Sequence, residues 1–243
     1  MELAGRVALV TGAGRRLGRA MAHALAKRGM TLAIHYHASD RGAIELRDEI
    51  TAHGGRAACF AADLADAAAA RELPRRVVAE LGALDVLVNS AAIMLRIPFE
   101  QTTPEEYDRV LDLDLRAVFF CTQGAAPALR AAGGKVVNLA DLSGFEPWPG
   151  FAAHSVAKAG VVMLTRVLAR ALAPEVTVNA IAPGAVLVPE EYDAAERERL
   201  ARSTPLRRLG TPADAVAALL YLLEGGDYVT GEVLVVDGGR LLR

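Results

Sequence analysis

The run Thr11-Gly12-Ala13-Gly14-Arg15-Arg16-Leu17-Gly18 follows a short β-branched segment and opens a helical pattern. Glycines in such a turn let backbone N–H groups approach a pyrophosphate held at a helix N-terminus. The spacing is not the usual GxGxxG, since position 17 is Leu, but strand, turn and helix come in the required order. The next strand ends in Ile34-His35-Tyr36-His37-Ala38-Ser39. A site selective for NAD places an acid about 20 residues past the glycines to take the ribose hydroxyls. No acid stands there and Asp40 comes late, whereas Arg15, Arg16, His37 and Ser39 can offer charge and donors to a 2'-phosphate. The expectation is NADPH over NADH, against a plainer reading in which His35 and His37 only alternate along a strand and the arginines are solvated. Farther on, His154 and Lys158 stand four residues apart and so share one helix face. Lys27, Lys135 and Lys158 are the only lysines in a chain that otherwise uses Arg, and a compact, tunable ammonium differs chemically from a guanidinium.

These groups need elements to position them. Short apolar runs alternate with longer helical patterns, the signature of an α/β fold with a parallel sheet covered on both faces. Strands are expected at 6–10, 31–36, 57–60, 86–88, 135–139, 177–181 and 232–236. Helices are expected at 17–28, 40–53, 66–81, 104–130, 152–172 and 213–223. Thr103-Pro104 and Thr211-Pro212 read as helix starts, and Gly29 and Gly54 as stops. Pro74 should kink or split its helix. One long irregular stretch, from Pro183 to about Pro205, has a charged middle at 190–202 that suits a short helix in a lid over a site.

The 243 residues carry 27 basic and 29 acidic side chains, for a formal net charge of -2. That describes a single compact domain at 1–243 with no electrostatic footprint for nucleic acid or an anionic membrane. Cys59 and Cys121 are far apart, make no CxxC and read as buried thiols. The first residues run directly into a strand without the pattern of a signal peptide, which points to the cytosol. Arg166 and Arg170 interrupt the most membrane-like segment. No cluster has metal-ligand spacing, so no metal is expected.

Over almost its whole length the chain resembles the short-chain dehydrogenase/reductase family. The family's TGxxxGxG turn resembles Thr11 to Gly18, its adenine-contacting Asp resembles Asp63 before Leu64, and its NNAG stretch resembles Asn89-Ser90-Ala91-Ala92. Its PG turn resembles Pro183-Gly184, and its terminal VDGG resembles Val236 to Gly239. The resemblance implies a Rossmann-type doubly wound sheet of about seven strands with its sites at their carboxyl ends. It places cofactor contacts at Gly12, Arg15, Arg16, Leu17, Gly18, His37, Ser39, Asp63, Leu64, Asn89, Ser90, Ala91, Lys158, Pro183 and Gly184. It also implies a homotetramer or homodimer packed through the two long central helices. Within the family, Arg16-Leu17-Gly18, the strand end at 35–39 and Asp141 are similar to the pteridine reductase branch, which implies reduction of a dihydropteridine or dihydrofolate with Arg16 near the substrate.

The departure falls in the family's YxxxK signature, which here reads His154-Ser155-Val156-Ala157-Lys158. In the family that Tyr donates the proton accompanying hydride delivery and the Lys holds the cofactor ribose. Asp141 precedes His154 as the family's Ser or Asp precedes Tyr, so Asp141, His154 and Lys158 are expected to converge. The family's tetrad Asn aligns with Asp114, a second departure. Lys158 would depress the imidazole pKa and Asp141 would raise it. An Asp141–His154 couple is therefore the expected proton donor, with Asp114 a further candidate and Asp141 otherwise free to cap the turn at Ser143-Gly144. Reduction of a dihydropteridine leads among the functional readings, with general carbonyl reduction next. A nucleotide-binding protein without turnover is the reading from another class.

Overall fold

The computed structural model describes residues 1–38, 40–188 and 192–242. Among these described residues seven strands form one parallel sheet in the order β3-β2-β1-β4-β5-β6-β7. They are β1 (Val7–Val10), β2 (Thr31–Tyr36), β3 (Arg56–Ala61), β4 (Val86–Asn89), β5 (Lys135–Leu139), β6 (Thr177–Pro183) and β7 (Val233–Val236). The helices are α1 (Arg16–Lys27), α2 (Arg41–Ala52), α3 (Ala67–Leu81), α4 (Pro104–Leu111), α5 (Ala117–Ala132), α6 (Ala152–Leu172), α7 (Ala194–Arg202) and α8 (Pro212–Leu220). Register follows the pleat, with Leu9 beside Ala33 on one side and Leu87 on the other.

Successive strand residues face opposite sides. Ala8, Val10, Leu32, Ile34, Val86 and Val88 pack with Met21 and Leu25 of α1, Leu46 of α2 and Leu219 of α8. Val7, Leu9, Ala33, Leu87 and Val136 pack on the other side with Leu73 of α3, Cys121 of α5 and Leu172 of α6. Strand order reverses between β1 and β4, and the crevice at that point is where ligands of open parallel sheets bind.

Helix boundaries follow the chain's punctuation. Thr103 and Glu106 form a capping box at α4, and Gly29 and Gly54 take left-handed φ of +79° after α1 and α2. Two expectations need correction. Pro74 does not split α3, which runs unbroken through it. α5 packs closely on this helix, since a Cβ on Gly124 would come 2.0 Å from the Arg71 carbonyl oxygen. The expected helix at 104–130 is not uniform, since Asp112–Arg116 forms a π-helical turn between α4 and α5. The charged middle of the expected lid carries a short helix, α7, capped by Asp193 and Glu196, while positions 190 and 191 lie outside the described residues. Cys121 is buried and its thiol is pushed up to about 12 by desolvation, while Cys59 is only half-buried. Among the described residues no helix is long and apolar enough to cross a membrane.

Candidate active site

The glycine turn sits at the carboxyl end of β1. Thr11 Oγ1 accepts from the N–H groups of Ser90 at 2.9 Å and Ala91 at 3.0 Å, joining the turn to the segment after β4. Gly12 has φ +65°, and a Cβ there would lie 3.0 Å from Ala91 Cα. A Cβ on Gly18 would lie 2.5 Å from the Gly12 carbonyl oxygen. Both glycines are therefore required by the turn's own closeness. Arg16 has φ +51°, a left-handed conformation that glycine adopts without cost, and its guanidinium donates to the Leu187 carbonyl oxygen at 3.1 Å in the lid segment. The first turn of α1 holds no acid, and Arg15 offers it no side-chain cap. Uncapped N–H groups beside exposed Arg15 and Arg16 are the donor set a pyrophosphate requires, so the residues present fit a dinucleotide.

His35 is the residue the sequence undervalues. It is buried, its Nδ1 accepts from the Gly12 N–H at 3.0 Å, and its Nε2 lies 3.1 Å from the Ala62 carbonyl oxygen. Since Gly12 can only donate and Ala62 O can only accept, the proton is on Nε2. Burial holds the ring neutral, with its pKa lowered to about 4, the Ala62 bond opposing. His35 thus ties the glycine turn to the end of β3. His37 is exposed, with Nε2 3.7 Å from Asp63 Oδ2 at the same sheet edge. Ser39 lies outside the described residues.

Other expected cofactor positions separate by where their atoms point. The Asn89 side chain is buried and donates to Asn138 Oδ1 at 2.9 Å and Thr122 Oγ1 at 3.1 Å. Its amide nitrogen is committed to tying β4 to β5 and α5. Leu64 is in the core on one face of the sheet, and Leu17 packs against the core on the other. Their side chains face the protein, leaving backbone groups for a ligand. Pro183 ends β6, and Gly184 packs so closely on Asp237 that a Cβ would lie 2.8 Å from its Cα.

The second half of the site is a buried charged cluster. Asp114, in the π-helical turn, is fully buried, its Oδ1 accepting from the Ile93 N–H at 2.8 Å. His154 Nδ1 lies 3.0 Å from Asp114 Oδ2 and 3.2 Å from the Ile93 carbonyl oxygen. Both neighbours are acceptors, so Nδ1 carries the proton. The opposite nitrogen, Nε2, is buried and without a hydrogen-bond partner among the described residues. Lys158 Nζ donates to the Leu139 carbonyl oxygen at 2.9 Å and stands 3.9 Å from Asp114 Oδ2. The segment that rests on Thr11 through Ser90 and Ala91 thus continues two residues later into the group that holds Asp114 and His154.

In the expected Asp141–His154 couple, Asp141 acts on the ring beside a second carboxylate, Asp114. Asp141 Oδ1 accepts from the Ser143 N–H at 2.8 Å, capping the short 3-10 turn Leu142–Gly144. The carboxylate hydrogen-bonded to His154 Nδ1 is Asp114. Asp141 still acts on the ring: although burial works against both charges, the two groups shift each other, His154 upward and Asp141 downward. For His154 the pull of Asp114, hydrogen-bonded at Nδ1, together with that of Asp141, outweighs burial and the nearby Lys158.

A strand–glycine turn–helix over a doubly wound sheet, with a lysine one turn after a buried titratable ring, narrows the family. The family model described as enoyl-(acyl carrier protein) reductase matches residues 12–240. The chain belongs to the short-chain dehydrogenase/reductase family. As a member it is an NADP(H)-dependent oxidoreductase. It is 37% identical over 241 residues to a 3-oxoacyl-[acyl-carrier-protein] reductase of Staphylococcus aureus, covering 97% of this chain and 98% of that one. It is 36% identical over 249 residues to 3beta-hydroxysteroid dehydrogenase 1 of Eggerthella lenta, covering 99% of this chain and 95% of that one. Among solved structures, a blue fluorescent protein from a metagenomic library in complex with NADPH superposes with a TM-score of 0.92 at 31% identity, covering 99% of each chain.

Proposed function

We propose that this short-chain dehydrogenase/reductase is an NADPH-dependent reductase of a small carbonyl compound, with His154 as the proton donor. The observation that carries the reading is the buried, unpartnered Nε2 of His154, whose other nitrogen is locked as a donor while Lys158 lies one helical turn on. A buried polar atom without a partner costs about 1–3 kcal/mol, a cost relieved when a substrate oxygen meets it. Arg15, Arg16 and the first turn of α1 would hold the pyrophosphate, and Lys158 the ribose. When bound, NADPH supplies the hydride. His154, as imidazolium, passes its Nε2 proton to the carbonyl oxygen and is left neutral, to be recharged from solvent. The relatives above carry 3-oxoacyl and hydroxysteroid names, which favours a C=O acceptor over the C=N of a dihydropteridine. Dihydropteridine reduction remains the second reading, favoured by Arg16 at the turn with its side chain on the lid.

Because the His154 pKa lies above its ordinary 6.5, the imidazolium donor is present below that raised value and disappears as pH rises through it. Reduction is therefore expected to fall along an alkaline limb above about pH 6.5. The experiment follows NADPH oxidation with 3-oxoacyl thioesters, ketosteroids, dihydrobiopterin and dihydrofolate across pH. His154→Phe should lose roughly 10²-fold or more in kcat and abolish that limb. An unchanged profile in the variant would reject His154 as donor, and reduction of pterins alone would reject the carbonyl assignment. We also propose that a face of α4, α5 and α6 carrying exposed Tyr107, Phe119, Met163 and Val167 packs against a second copy, as the family resemblance implies.

A further inference from the structure

We propose that Asp114 and His154 are one functional unit, in which Asp114 is a positioning residue that fixes the proton on Nδ1 and reserves Nε2 for substrate. This rests on the reading of His154 as donor and deepens it.

The geometry is over-determined. Asp114 Oδ1 is held by the Ile93 N–H at 2.8 Å, and Oδ2 meets His154 Nδ1 at 3.0 Å with Lys158 Nζ farther off at 3.9 Å. The Ile93 carbonyl oxygen, 3.2 Å from the same nitrogen, repeats the demand for a donor there. A single residue, Ile93, thereby orients the carboxylate through its N–H and the ring through its C=O. The ring is faced by every charged group around it: Asp114 from the π-helical turn, Asp141 from the end of β5, and Lys158 from its own helix. Asp114 and His154 are also two of the positions at which the sequence departs from the family resemblance, and the structure shows those departures touching each other. A carboxylate opposite a phenol would have no proton-sharing role of this kind, whereas opposite an imidazole it both selects the tautomer and stabilises the cation.

Asp114→Asn tests the unit sharply because Ile93 determines how the amide must sit. Its oxygen must accept from the Ile93 N–H, which turns its NH₂ toward His154 and makes Nδ1 an acceptor. The proton then moves to Nε2, the wrong tautomer for a ring that must take and give a proton there, an effect of the kind known for Asp-supported histidines in serine proteases. The measurement is ¹⁵N–¹H correlation of histidine-labelled, NADPH-loaded protein, which reads the tautomer without turnover, with His154→Phe assigning the signal. His35, locked as the opposite tautomer, is the internal reference. The wild type should show a protonated, strongly deshielded Nδ1 at His154, and Asp114→Asn an inverted tautomer. In kinetics, Asp114→Asn should cost roughly 10²-fold in kcat and move the alkaline limb to lower pH. In the His154→Tyr background the same substitution should raise activity, the reverse of its effect in wild type.

Nε2 protonation of neutral His154 in the wild type would overturn the proposal whether or not the variant folds. So would an Asp114→Asn variant with an unchanged signal and an unchanged limb, or losses that simply add in the double variant. If the signals behave as expected but no carbonyl is reduced, the unit stands and the function proposed for it fails. If carbonyls are reduced by His154 while the Asp114→Asn signals do not change, the function stands and the unit fails.

Discussion

Two buried histidines in this chain are held in opposite protonation geometries, and each consequence follows from which neighbour can donate. His35 accepts from Gly12 and is kept neutral, with a pKa near 4 against 6.5. In the unfolded chain it gains a proton below 6.5, so the folded state binds fewer protons between that pH and about 4. The resulting stability is fully present above 6.5 and is lost as pH falls through 6.5 toward 4, by about 3 kcal/mol in total at roughly 1.4 kcal/mol per pH unit. Urea midpoints at pH 7 and pH 4 should therefore draw together in His35→Phe, which should also lose about 1–3 kcal/mol at pH 7 by orphaning the Gly12 N–H. A variant with the wild-type acid dependence would show that His35 does not set it. His154 has the opposite sign: its raised pKa adds stability below 6.5 that is lost as pH rises through the folded value. Neither behaviour was visible in a sequence that showed only two alternating histidines and a third before Ser-Val-Ala-Lys.

At the scale of elements, the positions that matter are those where backbones touch. The sequence announced strands, caps and stops correctly because these are local signals: period-2 apolar runs, Thr-Pro starts and left-handed glycines. It did not foresee a helix that runs unsplit through Pro74 or a π-helical turn inside the stretch 104–130. Gly124 lets α5 close on α3, and a methyl group there would meet the Arg71 carbonyl oxygen at 2.0 Å. Gly124→Ala, though it favours helix locally by up to about 1 kcal/mol, should destabilise the protein by about 1–3 kcal/mol through overpacking. Differential scanning calorimetry would show a fall of a few degrees in Tm, and an unchanged or raised Tm would disprove the contact. The π-helical turn at 112–116 has a comparable effect on the site. One inserted residue advances a helix face by about 100°, and this turn presents Asp114 to Ile93 and His154.

For the whole molecule, a doubly wound sheet leaves its chemistry at one edge and its long helices on the flank. On that flank Tyr107, Phe119, Met163 and Val167 are each exposed by 41% or more. Apolar side chains gathered on one face mark an interface more often than scattered ones do. Sedimentation should therefore find a dimer or tetramer, and Met163→Glu should shift it toward monomer with the fold retained by circular dichroism. A wild type that sediments as a monomer at micromolar concentration would refute the assembly.

By itself, the sequence determined the class of fold, the glycine turn on the first helix and the shared face of His154 and Lys158. All of these depend on residues within one or two turns of each other, where periodicity and backbone freedom decide. Only the tertiary structure decided which carboxylate holds His154 Nδ1, choosing Asp114, 40 residues away, over Asp141. It likewise decided that His35 serves Gly12, 23 residues before it, and that Asn89 turns its amide inward. Hydrogen-bond partners are selected within about 3 Å. Distances that short between remote residues are set by strand order and helix phase, quantities that no local pattern contains.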